Sequence, residues 1–147
     1  MAQEIPYSAW IAIAFFWAIC GFAVWKGGWE ERIAGGALAL GALATPIVKD
    51  HHWLGPQWGV FSIDLVYLAL IVAIAMRTKR WWPLPAAAFQ LLGVMTHAAR
   101  IADHSVGGWA YITAGVIWSY ALLITVAVGA FNHWRENTSL RGQAFPH

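Results

Sequence analysis

The sequence predicts an all-α integral membrane protein, a polytopic helical bundle of about five transmembrane helices with its N-terminus outside and its C-terminus cytoplasmic. Three observations carry this expectation. Hydrophobic residues make up 60% of the 147-residue chain and charged residues only 11%, against about 25% charged in a soluble domain that must face water. The apolar residues fall into runs long enough to cross a hydrocarbon core of about 30 Å. Lysine, arginine and tryptophan then sort themselves by side. A net charge of +2, with no basic stripe interleaved with aromatics, gives no reason to expect nucleic acid. The bilayer itself is the expected partner.

The first run, residues 8–25, has no charge. Its leading segment MAQEIPYS lacks lysine and arginine and no small-residue cleavage site follows, so it reads as a permanent span rather than a signal peptide. The second, residues 33–48, is short and rich in small residues. The third, residues 58–76, contains one charge, Asp64. The fourth, residues 81–99, opens WWPLP, with Pro83 and Pro85 in the first turn, where a missing N–H costs little. The fifth covers residues 108–131. Residues 1–135 thus form one transmembrane domain, and 136–147, ENTSLRGQAFPH, a flexible polar tail.

Charge decides whether the short second run crosses. With five crossings, Lys26, Arg32, Arg77, Lys79, Arg80, Arg135 and Arg141 are inside and only Lys49 and Arg100 outside, the asymmetry expected of cytoplasmic loops. Without the second crossing that bias nearly vanishes. Tryptophan prefers the interface, where the ring stays apolar and the N–H stays wet. Trp10, Trp53, Trp58 and Trp109 fall at the outer boundary and Trp25, Trp29, Trp81, Trp82 and Trp134 at the inner one, leaving Trp17 and Trp118 mid-span. The style is that of a bacterial inner-membrane protein. In the second run Gly36, Ala37 and Gly41 mark a helix-packing face, because small residues let backbones approach where no hydrophobic force drives association.

The polar groups converge on the outer side. Asp64 lies roughly 9 Å below Trp58 at ~1.5 Å per residue. Gln90 and His97 share a helix face, with Arg100 beside them, and the short connection RTKR makes the third and fourth spans antiparallel neighbours. Asp64 then meets His97 or Arg100. An Asp64–Arg100 ion pair would lock two helices together, whereas Asp64 with His97 could bind a ligand or carry protons. Outside the membrane, His51 and His52 on one loop and Asp103 and His104 on another are possible metal or ligand groups, since zinc takes such side chains. Adjacent histidines usually diverge and no spaced metal motif is present. A b-type haem would need two histidines on facing helices, and only His97 lies within a span. No cofactor is therefore implied. The lone Cys20 sits in an apolar run as a small core residue.

Functionally, the small size and lack of a catalytic motif point first to a non-catalytic accessory or structural subunit of a membrane assembly, packed beside another membrane protein or a copy of itself. The alternative is a membrane carrier or sensor with a His/Asp ligand, proton or metal site at the outer leaflet. Histidine titrates near pH 6.5 in water, so such a site would respond to external pH. No nucleophile–base pair or phosphate-cradling loop suggests an enzyme.

Overall fold

The computed structural model describes residues 7–48, 57–103, 105 and 107–144. Five helices account for nearly all of them: α1 (Tyr7–Lys26), α2 (Trp29–Val48), α3 (Trp58–Arg77), α4 (Pro83–Ala102) and α5 (Gly108–Ala144). The first four have 20 residues each, a length of about 30 Å at 1.5 Å per residue. Four helices, α1, α2, α3 and α5, are long and apolar enough to cross a membrane. Their outer faces carry exposed Ile11, Phe15, Leu40, Ile47, Val66, Val72, Ile117 and Ile124. Lipid satisfies such a surface and water does not.

The helices close into a ring. Each packs on its neighbours in sequence, α5 returns to pack on α1, and α2 also touches α5 across the middle. Short connections, residues 27–28, 78–82 and 103–107, force successive helices to reverse direction. One end of the bundle gathers the α1–α2 turn, the α3–α4 turn and the later part of α5. The other gathers the start of α3, the end of α4 and the start of α5.

Local chemistry explains the helix starts. α2 begins at Trp29, four residues before the apolar run, so Glu30 and Glu31 occupy its first turn. Acids there meet the positive end of the helix dipole. Glu31 also reaches back and accepts the Gly28 N–H at 2.8 Å, the N3-to-N-cap contact of a capping box. α4 starts on Pro83, at a position where no intrahelical N–H bond is lost. α5 runs for 37 residues, so positions 136–144, expected as a flexible tail, continue it as helix. Thr138 and Ser139 in this stretch return their hydroxyls to the carbonyls of Trp134 and Glu136.

The packed core occupies the half nearer the α3–α4 turn. Ala23, Ala34, Ile71, Trp82, Ala86, Val126 and Ala130 are essentially inaccessible there. Trp82, expected in the interfacial belt, is instead the largest fully buried side chain among the described residues. A Cβ on Gly129 would come within 2.7–2.8 Å of its ring, so the indole lies directly on the α5 backbone. Trp10, Trp25, Trp29, Trp58, Trp81 and Trp109 do sit exposed near helix ends.

The close approach of α2 is displaced by one residue from the expected Gly36. A Cβ on Gly35 would lie 2.9 Å from the Ala23 Cβ of α1, whereas one on Gly36 would meet nothing within 4 Å. One residue is about 100° of helix rotation, and hydropathy alone does not fix that angle in a helix apolar all round. Ala37 packs against the core edge, and Gly41 faces α3, where a Cβ would be 3.3 Å from Ile63 Cγ2. The two glycines should therefore respond with opposite signs. Gly36→Ala gains helix propensity worth up to about 1 kcal/mol. Gly35→Ala gains the same propensity but must push α1 away, for a net loss of about 1 kcal/mol or more. Thermal unfolding of both variants in detergent checks this.

Candidate functional site

Asp64 lies 13 residues before the end of α3 (77 − 64) and His97 14 residues after the start of α4 (97 − 83). In antiparallel neighbours joined by a short turn, those counts give equal depth. The side chains meet: His97 Nε2 is 2.9 Å from Asp64 Oδ2. Gln90 secures the acid from the same helix face, its Nε2 donating to Asp64 Oδ1 at 3.1 Å and to the Asp64 carbonyl at 3.0 Å. Asp64 is bonded by His97 and Gln90 rather than by Arg100.

A third helix completes the group. Tyr111, in the first turn of α5, places its hydroxyl 2.8 Å from His97 Nδ1. The imidazole also packs edge-on to the Tyr111 ring, with centroids 5.4 Å apart, and lies 5.8 Å from the Phe61 ring. The result is a phenol–imidazole–carboxylate chain. A carboxylate only accepts, so the neutral imidazole donates from Nε2 to Asp64 and accepts the Tyr111 O–H at Nδ1. When the imidazole takes a second proton, both nitrogens donate and the phenol oxygen accepts. The rotatable hydroxyl lets His97 change charge without losing a hydrogen bond, the property required of a proton-responsive group.

The chain is set in the wall of a cavity of about 450 Å³, which borders the packed core at Tyr67 and Leu122 and extends from there past Asp64 and His97. All five helices line it. The walls are mainly apolar and aromatic, with Phe16, Phe89 and Trp118 among them, and Asp64, Gln90, His97 and Tyr111 form a polar patch. A few convergent polar groups in an apolar cavity of several hundred Å³ is the usual composition of a small-molecule site.

His51, His52 and His104 lie outside the described residues. Asp103 ends α4 and accepts the Ser105 N–H at 2.8 Å, a turn-forming role. Among the described residues no group of three or more His, Cys, Asp or Glu side chains could hold a metal ion.

The opposite end of the bundle, expected to carry ordinary loop charges, holds a second polar network. Glu31 is fully buried and accepts the Trp82 Nε1–H at 2.8 Å in addition to the Gly28 N–H. Glu30, also buried, accepts the Thr78 hydroxyl at 2.9 Å. Arg80 sits between the two acids at 3.7 Å from each and reaches Glu136 at 3.5 Å. It also donates to His133 Nδ1 at 2.7 Å. With Nδ1 accepting, the His133 proton is on Nε2, 2.9 Å from the Asn137 side-chain amide, which must turn its oxygen there to accept it. The network ties the α1–α2 turn, the α3–α4 turn and α5 together, and no buried side-chain polar atom among the described residues lacks a partner. Its contribution is architectural: it closes the end behind the packed core.

Sequence reasoning missed Tyr111 and this network. Tyr111 had a signal, a hydroxyl one turn into a span that follows a short loop from the histidine helix. Comparison with known proteins found no matching family model, no similar curated protein and no similar solved structure.

Proposed function

We propose that this protein is a membrane carrier or sensor whose ligand occupies the cavity and meets Asp64, Gln90, His97 and Tyr111. The carrying observation is the phenol–imidazole–carboxylate chain in the wall of an intramembrane cavity. A purely structural polar pair would be packed over, because charge in hydrocarbon costs about 2.5–3.5 kcal/mol and is best shielded by protein. Here the Asp64 side chain keeps 31% of its surface accessible.

In this reading α4 is a fifth crossing. It matches the others in length, runs antiparallel to α3, and turns Gln90 and His97 toward α3 and α5. The lysine and arginine bias supports an N-terminus outside, with the cavity in the outer half.

Gly115→Leu tests the reading. Gly115 lines the cavity and a Cβ there meets nothing within 4 Å, so the larger side chain fills space without a clash. It should leave the fold intact or more stable while abolishing ligand-dependent thermal shifts in a screen of small amphipathic molecules. A screen in which the filled and the open protein respond alike would reject the site.

The accessory-subunit reading keeps one observation of its own, the exposed polar end of α5 beyond Trp134, which offers a helical surface to another membrane protein or a second copy. Cross-linking in native membranes from a cysteine placed at Ser139 tests it: a discrete adduct supports an assembly and its absence removes the reading.

A further inference from the structure

Resting on the carrier-or-sensor reading, we propose that the cavity binds a small lipophilic amine as its ammonium ion, and that this cation and a proton on His97 compete for the Asp64 carboxylate. The argument is one of hydrogen-bonding capacity. An ionised carboxylate offers about four lone-pair sites. Asp64 receives one donor on each oxygen, from Gln90 and from His97, and retains acceptor capacity on an accessible face. Gln90 commits its Nε2 to Asp64, and its carbonyl oxygen accepts no hydrogen bond among the described residues. Tyr111 gives its hydroxyl hydrogen to neutral His97 and keeps its oxygen lone pairs. What the patch has left to offer is acceptors, so it selects a donor.

Charge points the same way. Among the described residues lining the cavity, Asp64 is the only acid and there is no lysine or arginine. An anion would meet repulsion and few donors. A cation leaving water for this apolar space meets a carboxylate, and the lining includes the aromatic residues Phe16, Trp118 and Tyr120, a side-chain type that attracts an ammonium group. The volume, about 450 Å³, suits a body of one or two rings.

The groups facing His97 set the pH dependence. α3 presents Asp64, α5 presents Tyr111, and α4 itself carries Gln90 and, three residues beyond His97, Arg100. The cavity-lining residues of α1 and α2, from Ala12 and Phe16 to Thr45, include no ionisable side chain. With His97 protonated, the Asp64–His97 pair is neutral overall and its pull on a cation is weak. With His97 neutral, Asp64 carries an uncompensated charge. Ammonium binding to the protonated site therefore releases one proton: the cation takes the place of the imidazolium charge and the total charge balances.

The test uses the full chain in lipid nanodiscs, with 2-phenylethylammonium and 1-adamantylammonium as probes. 2-Phenylethanol and phenylacetate serve as neutral and anionic matches, and binding is read from tryptophan fluorescence and calorimetry. Both amines stay protonated throughout, since aliphatic amines titrate near pH 10. The ammonium probes should bind and the two matched compounds should not. Affinity should fall as the pH is lowered, by up to about tenfold per pH unit, with one proton released per amine bound to the protonated site. Asp64→Asn, which keeps the side-chain shape but removes the charge and turns one acceptor oxygen into a donor, should weaken amine binding at least about tenfold. His97→Gln should retain binding and lose its pH dependence, a readout independent of how well Asp64→Asn folds. If 2-phenylethanol or phenylacetate binds and Gly115→Leu blocks it, the carrier-or-sensor reading survives and the amine class is overturned. Amine binding that is indifferent to pH overturns the competition, and failure of both amines to bind overturns the ligand class.

Discussion

Replacing Glu31 by alanine should destabilise the protein by about 3–5 kcal/mol, the cost of breaking a buried ion network by removing one partner. Glu31 is wholly inaccessible and serves the Gly28 N–H, the Trp82 indole N–H and Arg80 together. Alanine leaves all three short of an acceptor at the end of the bundle, where neither lipid nor water reaches them easily. Glu31→Gln retains one carbonyl oxygen and should lose about half as much, because one hydrogen bond to a charged group contributes about 1.5–3 kcal/mol. The measurement is reversible unfolding in mixed micelles. Parity of Glu31→Ala with wild type would mean that Glu31 is not the acceptor holding these turns.

Trp82→Ala should cost about 3–5 kcal/mol through the cavity it opens. Its indole fills the space between the α3–α4 turn and Gly129 of α5 and is 1% exposed. Trp82→Phe should recover part of this by restoring ring volume, but not the bond to Glu31. The same contact can be attacked from the other side: Gly129→Leu drives a side chain into the ring and should cost about 1–3 kcal/mol. Combining Glu31→Ala with Trp82→Ala should cost less than the sum, since the two share one bond. Strict additivity would show that they act independently.

Much of this architecture was legible in the sequence for a simple reason: a chain with 11% charged residues must confine its charges to helix ends or pair them. The five elements followed from that, and so did the meeting of Asp64 with either His97 or Arg100 of α4, because a short turn makes depth a matter of counting residues. What was not legible depended on rotation about helix axes. His97 and Arg100 are both deep enough to reach Asp64. They differ by three residues, about 300° of turn, and only packing decides that His97 faces α3. The shift from Gly36 to Gly35 has the same origin. Glu30 and Glu31 looked like loop charges because two adjacent acids beside an apolar run resemble a boundary. Their burial depends on Arg80, which is distant in sequence. Tyr111 required a third helix, and no local pattern announces which span will return to complete a site.

The ring is also a statement about order of synthesis. α1 leaves the ribosome well before α5, yet α5 is one of its two ring neighbours. Until then Ile19 and Cys20, which pack with Leu123 of α5, have only part of their final surroundings. The indole of Trp82 likewise waits for Gly129. A chain arrested after its fourth helix lacks both the seam and the hydroxyl that completes the polar chain at His97. Closure of the cavity therefore waits for the synthesis of α5.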